Sequence, residues 1–478
     1  MSKKEDDIKV EFLGNSSVDV TGSCIRITFL EKTYLIECGS VQGYTVDKCY
    51  TLNKELISQI KVNNLEAIWV MHCHQDHEGN LPGITKKEGF HSKIYCTYET
   101  KKLSQLLLLD SAYIHEKDAT YLSKKKKGKV SPLYREEDVI DCYNAMESCD
   151  RDKIYKINNN VSFKLLRNNH CLGASQLELY FRKPNNIIKK ITYTSDLGSN
   201  IRNDKPFVSS IEYSTKNNLF IIEGTYGLKN RSYSKKDVKN ERYDLKENIK
   251  TVINRKGKVL LPCFSFSRTQ EVLVDLYNMF HDDINFGNTP IYIDSKLSVE
   301  ITACYHEILK DENLDLINKV TQWKNVHMNK SIKGTFANLN SDEPAILLSS
   351  QGFISAGRSQ LYAKNFLPNE KDGIFFVGYC PENSVGGRII NPKTKTVKID
   401  TGIYHKKCMI KAYKTYSSHA QHDELLKYIK MVNTDKIIVH HSSKEAKQEL
   451  IQEVKKALQE INKTTPIMGC SKHLELKL

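Results

Sequence analysis

The 478-residue sequence predicts a layered α/β protein in two domains, the second inserted into the first, on three observations. Short β-rich runs alternate with helical ones through the first 225 residues. A polar, basic stretch from Lys229 to Lys250 then precedes a fresh α/β series. Beyond about residue 400, histidines return at strand ends, as they do in the first part. The expected divisions are residues 1–225 for the first part, 226–400 for the inserted domain and 401–478 for the return.

Runs at 8–13, 24–29 and 33–37, punctuated by Gly14, Gly22 and Gly39, read as a β-meander. Helical spacing covers 53–64. The apolar run Ala67–Met71 is a buried strand, Lys93–Cys96 another, and Thr97–Asp110 carries leucines on one helix face. Lys124–Lys127 is expected in an irregular excursion, a solvated loop in preference to a phosphate-binding arm. Strands at 163–166, 191–195 and 218–222 close the first part. In the insertion, strands are expected at 259–261, 291–293, 345–348 and 374–377, with helices at 268–280 and 296–310. A helix at 422–431, a strand at 436–439 and a helix at 443–461 complete the chain.

The densest chemistry lies in His72-Cys73-His74-Gln75-Asp76-His77, three histidines and a carboxylate within six residues at the end of the strand 67–71. Imidazole nitrogen and carboxylate oxygen suit zinc and neighbouring divalent metals. H-x-H on an extended segment sends both rings to one side. A histidine-rich surface loop would need neither the aspartate nor the apolar strand that feeds it. His170 and Asp196 each follow a strand; alone they read as turn residues, and they gain weight as fifth and sixth ligands beside this loop.

Lys plus Arg at 71 against Asp plus Glu at 57 gives +14, a balance that attracts polyanions, although a lysine-solvated surface produces the same excess. Thirteen cysteines without a C-x-x-C pair argue for reduced thiols in a cytoplasm and against a disulfide framework. No apolar stretch reaches transmembrane length, and the opening residues 1–7 are polar, so a soluble, intracellular chain is expected.

The ordered motifs H-x-H-x-D-H (72–77), N-H-C-L-G-A (169–174), T-S-D-L-G (194–198), E-G-T-Y-G (223–227), S-S-H-A (417–420) and V-H-H (439–441) resemble the β-CASP branch of the metallo-β-lactamase fold. Within it, the chain is similar to the bacterial and archaeal relatives of the cleavage and polyadenylation factor endonuclease. The resemblance extends into the insertion at 261–268 and 351–358. It implies an αββα sandwich with an inserted β-CASP domain and a two-zinc site in the cleft between them, with manganese as the alternative metal. Carried over by position, His72, His74 and His170 would hold one metal, Asp76, His77 and His440 the other, and Asp196 would bridge. Glu223 and His419 fall on two further family motifs. His440 favours RNA over DNA as substrate. Glu37 stands where the family usually has a supporting aspartate, Gln421 where it has an aspartate after His-Ala, and His441 where it has a glycine.

The implied reaction is hydrolysis of RNA phosphodiesters to a 5′-phosphate and a 3′-hydroxyl, which two metals serve by activating water and neutralising phosphate charge. Asp76 joins the catalytic set as a ligand. His419 is the candidate general acid, with Glu223 orienting it and favouring its charged form. The sequence does not separate endonuclease from accompanying 5′-exonuclease action. Arg268, Arg358 and Arg388, beside glycine- or serine-rich turns, are candidate phosphate contacts for single-stranded RNA, or else members of structural ion pairs; Gly352, Gly357, Gly386 and Gly387 could let backbone amides approach phosphate. A homodimer is expected from the family. The competing readings are a catalytically weak RNA-binding or scaffold subunit, kept open by the three departures, and a DNA nuclease.

Overall fold

A computed structural model describes residues 7–202, 205–230, 232–472 and 474–478. Most of the polar opening segment therefore lies outside the described residues. Two compact units emerge. The chain leaves the first at Ser232–Tyr233, returns to it at Ser417–Ser418, and visits the second briefly around Phe207, whose ring packs edge-on against Tyr305.

The first unit contains two seven-stranded sheets. One runs in the order Glu475–Lys477, Lys9–Phe12, Ile25–Phe29, Lys32–Ile36, Leu65–Trp69, Lys93–Cys96, Met146–Ser148. Its first three junctions are antiparallel and its last three parallel. The other runs Ile467–Gly469, Ile437–His440, Leu219–Glu223, Ile188–Tyr193, Ser175–Arg182, Val161–Arg167, Ile154–Lys156. Val10, Phe12, Ile27, Tyr34 and Trp69 of the first sheet share one buried cluster with Phe163, Leu179, Ile191, Ile221 and Ile438 of the second, so the sheets face each other. Alternate residues point outward and are covered by helices. Leu35, Ile68 and Val70 pack with Leu56, Leu108 and Val139, while Phe220, Ile222 and Val439 pack with Leu425, Leu450 and Val454. Burial on both faces explains why Ala67–Met71 reads as a continuous apolar run rather than an alternating one.

The second unit is built on a six-stranded, all-parallel sheet in the order Val326–Asn329, Ile291–Asp294, Ile346–Ser349, Val259–Pro262, Gly373–Phe376, Met409–Ala412. Met409–Ala412 corrects the expected return at residue 401. It pairs in register with Gly373–Phe376, and Tyr413 donates its N–H to the Phe376 carbonyl, so the second unit keeps the chain to residue 417.

Two helices differ from expectation. The expected 53–64 helix is Val46–Gln59, started early because the Thr45 hydroxyl accepts from the Lys48 N–H. The helix expected to end at Asp110 runs from Tyr98 to Lys126, and Lys127 closes it in a left-handed conformation. Lys124–Lys126 are therefore its last turn, not an irregular excursion.

Candidate metal centre

Strand Leu65–Trp69 ends beneath the loop that carries His72 and His74, and a short helix, Gln75–Glu78, sets Asp76 and His77. This loop lies so close to Gly39 that a Cβ there would sit 1.6 Å from the Asp76 carbonyl oxygen, which makes glycine obligatory. Gly198 plays the same part opposite. A Cβ on it would sit 1.7 Å from the Asn169 carbonyl, so glycine lets the Asp196 turn close on the His170 loop. Asn168 fixes that loop by accepting from the His170 N–H at 3.0 Å and donating to the Thr194 carbonyl at 2.7 Å.

The side chains converge. His72, His74, His170 and Asp196 present ligand atoms all within 4.8 Å of one another, and so do Asp76, His77 and His441. Asp196 lies between the groups: its Oδ2 is 3.8 Å from His72 Nε2, 3.7 Å from His170 Nε2 and 3.3 Å from His77 Nε2, and its Oδ1 is 3.1 Å from His441 Nδ1. His72 Nε2 and His77 Nε2 are buried without a hydrogen-bond partner among the described residues. An unpartnered buried imidazole nitrogen aimed into a carboxylate-lined cluster is what a metal would satisfy. Burial, reinforced by the neighbouring histidines, drives His72 well below the usual imidazole range, and burial takes His74 down to about 4. Both are thus neutral near pH 7, the form that ligates. Burial opposes the charge of Asp196, yet His441 and His77 hold it well below the usual carboxylate range.

Glu37 reaches His77 despite its extra methylene. Its Oε2 is 2.7 Å from His77 Nδ1 and accepts from Tyr193 OH at 2.6 Å, while Oε1 accepts from Ser195 Oγ at 2.8 Å. Occupying Nδ1 in this way leaves His77 Nε2 aimed at the cluster.

His440 is the expected ligand that the structure turns elsewhere. Its Nε2 lies 2.9 Å from Ser16 Oγ, and its ring sits 5.4 Å from Phe12 and 6.0 Å from Tyr193, inside the sandwich. His441 takes the place, with Nε2 3.3 Å from Asp76 Oδ2 and a left-handed backbone, φ +49°. The cause is strand alternation: Ile438 faces the inner core and Val439 the outer one, so His440 must again face inward and only its neighbour can turn to Asp196. Counting two residues on from Ile438 gives that answer from sequence.

At the partly exposed edge of the cluster, His419 Nδ1 lies 3.0 Å from Glu223 Oε1, and His419 Nε2 lies 3.9 Å from Asp196 Oδ2. Glu223 is itself held by the N–H groups of Leu197 (3.0 Å) and Thr225 (2.8 Å). Burial disfavours the charge on His419, but Glu223 and then Asp196 raise its pKa above the ordinary value. Gln421 donates from Nε2 to the His419 carbonyl at 3.0 Å and caps the helix His422–Met431.

The three arginines belong to the second unit and have intramolecular partners. Arg268 pairs with Glu271 at 2.5 Å, Arg358 with Asp294 at 2.5 Å and with the Asn329 carbonyl at 3.1 Å, and Arg388 donates to the Asn383 carbonyl at 2.7 Å. Arg268 and Arg358 thus take the ion-pair alternative.

Comparison with known proteins agrees with this geometry. Residues 269–389 match the family described as the Beta-Casp domain, and residues 403–466 match the Zn-dependent metallo-hydrolase RNA specificity domain. The transcription termination factor FttA of Methanocaldococcus jannaschii is 27% identical over 91% of this chain and 67% of its own length. The Integrator complex subunit 11 homolog of Dictyostelium discoideum is 27% identical over 94% of this chain and 59% of its own. The endoribonuclease ysh1 of Schizosaccharomyces pombe is 23% identical over 90% and 54% respectively. The chain thus spans between about half and two thirds of the length of these relatives. A crystal structure of an Enterococcus faecalis protein of unknown function superposes over 99% of this chain and all of its own, with a TM-score of 0.52 at 12% identity, a likeness of fold alone. With its two sandwiched sheets and its inserted parallel-sheet unit, the chain has the fold of the β-CASP branch of the metallo-β-lactamase class and carries that branch's Beta-Casp domain together with the Zn-dependent metallo-hydrolase RNA specificity domain.

Proposed function

We propose that this protein is a zinc-dependent endoribonuclease that hydrolyses RNA phosphodiesters at a two-metal centre, leaving a 5′-phosphate and a 3′-hydroxyl. The observation that carries this reading is the arrangement of two ligand groups on either side of Asp196, with the His419–Glu223 pair at their edge. His72, His74 and His170 would hold one ion, Asp76, His77 and His441 the second, with Asp196 between. Metals in such a site activate water and neutralise developing phosphate charge. Glu37 keeps His77 oriented, and the carboxylates stay ionised for ligation. His419, whose charged form Glu223 favours against burial, would give its Nε2 proton to the departing oxygen.

The reading carries with it zinc with manganese as substitute, single-stranded RNA as ligand, 5′-exonuclease action alongside the internal cut, and a homodimer. Thirteen free thiols suit a reducing, cytoplasmic setting. No helix among the described residues is long and apolar enough to cross a membrane.

The test is incubation of metal-loaded protein with end-labelled single-stranded RNA and matched DNA, alongside His419→Ala and Asp76→Ala. RNA cut by the wild type alone, with 5′-phosphate ends, supports the proposal. Uncut RNA that remains bound by a protein retaining its metals would instead identify a binding subunit.

A further inference from the structure

The long helix Tyr98–Lys126 begins beside the metal loop and runs away from it. Gln75 of that loop donates from Nε2 to the Leu107 carbonyl at 3.1 Å, and Lys126, at the far end, pairs with Asp47 at 2.6 Å. From Leu107 to Tyr121 the helix covers roughly 21 Å at about 1.5 Å per residue. Over that distance its outer surface is unusual for a solvated helix. Tyr113 is 56% exposed, Ile114 47% and Tyr121 53%, although large apolar groups ordinarily turn inward. At 100° per residue, Tyr113, Lys117 and Lys124 fall on one line and Ile114, Tyr121 and Lys125 on the next, forming a single outward sector. The Lys117 ammonium sits 4.3 Å over the Tyr113 ring. Lys124–Lys127 and Lys129 follow, against Glu116 and Asp118 as the acids between residues 113 and 129, and Glu116 is paired with Arg135.

Lysines at a helix C-terminus also offset its dipole. That role gives no reason for exposed tyrosines one and three turns earlier with a lysine between them. Exposed rings alternating with cations, in a chain of net charge +14, complement a flexible polyanion whose bases are free to stack.

The geometry points to this sector of the helix, Tyr113–Lys117–Tyr121–Lys124–Lys125, as an accessory track that binds single-stranded RNA running from the metal centre. The inference rests on the proposed ribonuclease function and assigns that function a route for its substrate. Tyr113 and Tyr121 supply stacking faces, and Lys124 and Lys125 contact the phosphates that follow.

The experiment compares the full chain with Tyr113→Ala/Tyr121→Ala and Lys124→Ala/Lys125→Ala. Fluorescence anisotropy in chelator reads affinity for RNA of ~30 and ~6 nucleotides across a salt series, and the metal-loaded proteins are assayed for cleavage of the ~6-nucleotide strand. We expect the tyrosine pair to weaken binding of the long RNA by about tenfold or more. The lysine pair should reduce the salt slope by about 1.4, two charges at ~0.7 each for a single strand. Neither should change cleavage of the short strand. Affinity within about twofold of wild type in both variants, with the salt slope unchanged in Lys124→Ala/Lys125→Ala, would overturn the track whether or not RNA is cut. Loss of long-RNA affinity in a protein that cuts nothing would uphold the track and overturn the ribonuclease reading instead. Unchanged RNA binding together with an altered sedimentation coefficient would identify the sector as a self-association face.

Discussion

Replacing His441 with alanine removes the nitrogens 3.1 Å from Asp196 Oδ1 and 3.3 Å from Asp76 Oδ2, and leaves the inner core untouched. Replacing His440 does the reverse. It empties a space lined by Phe12 and Tyr193 and frees the Ser16 hydroxyl, at an expected cost of about 2–4 kcal/mol from lost ring burial and one lost hydrogen bond. The variants should therefore separate function from stability. On the proposed two-metal reading, His441→Ala should bind one metal fewer than the wild type and lose RNA cleavage by more than ~100-fold, since even a supporting partner of a metal ligand is worth 10–100-fold. It should unfold in guanidinium close to wild type once metal is removed from both. His440→Ala should retain both metals with a clearly lowered guanidinium midpoint. Elemental analysis after dialysis and denaturant unfolding read the two effects. A His440→Ala protein that has lost one metal, beside a His441→Ala protein that has kept both, would refute the assignment.

Three further outcomes follow from the geometry. Glu37→Gln should weaken metal affinity about 10–100-fold, because an amide cannot accept from Tyr193 and Ser195 and also hold His77 Nδ1 as a carboxylate does; competition with a chelator measures it. Glu223 raises the His419 pKa, so activity that needs protonated His419 fails as pH rises through that pKa; Glu223→Gln should move this alkaline fall to lower pH, and a pH–rate profile unchanged in position would refute the role of Glu223. His115, half-buried and edge-on against Tyr134, is pushed by burial, with Lys86 adding, from the ordinary 6.5 to about 4. The unfolded chain therefore binds the extra proton between those values, and stability falls as pH drops from about 6.5 towards 4. His115→Phe should recover about 2 kcal/mol at pH ~5 relative to its effect near neutrality, which urea titrations at the two pH values would read.

The legible part of the site was the part whose chemistry is contiguous in sequence. His72 to His77 declare themselves because four ligand types share one loop at the end of one apolar strand. His170 and Asp196, each alone in its turn, acquire meaning only beside that loop. At the His440–His441 pair, family order supplies one ligand while the sequence supplies two adjacent imidazoles. The alternation from Ile438 and Val439 decides between them. Between the two readings open for Arg358, the sequence could not choose, for another reason. Its partner Asp294 lies 64 positions away on a neighbouring strand, a pairing no local pattern announces. The same holds for Met409–Ala412, whose place is fixed by a ladder to Gly373–Phe376 and not by its own composition.

The order in which the chain is made has a consequence of its own. The metal-centre unit is finished by segments that follow the second unit in the sequence: Ile437–His440, His441, the strand Ile467–Gly469 and the strand Glu475–Lys477, which pairs with Lys9–Glu11. All of these leave the ribosome after the second unit has been synthesised. Until then the nascent protein has most of its ligands but neither His419 nor His441. A centre assembled in this sequence lacks two of the side chains that face Asp196 until the whole of the second unit has been made.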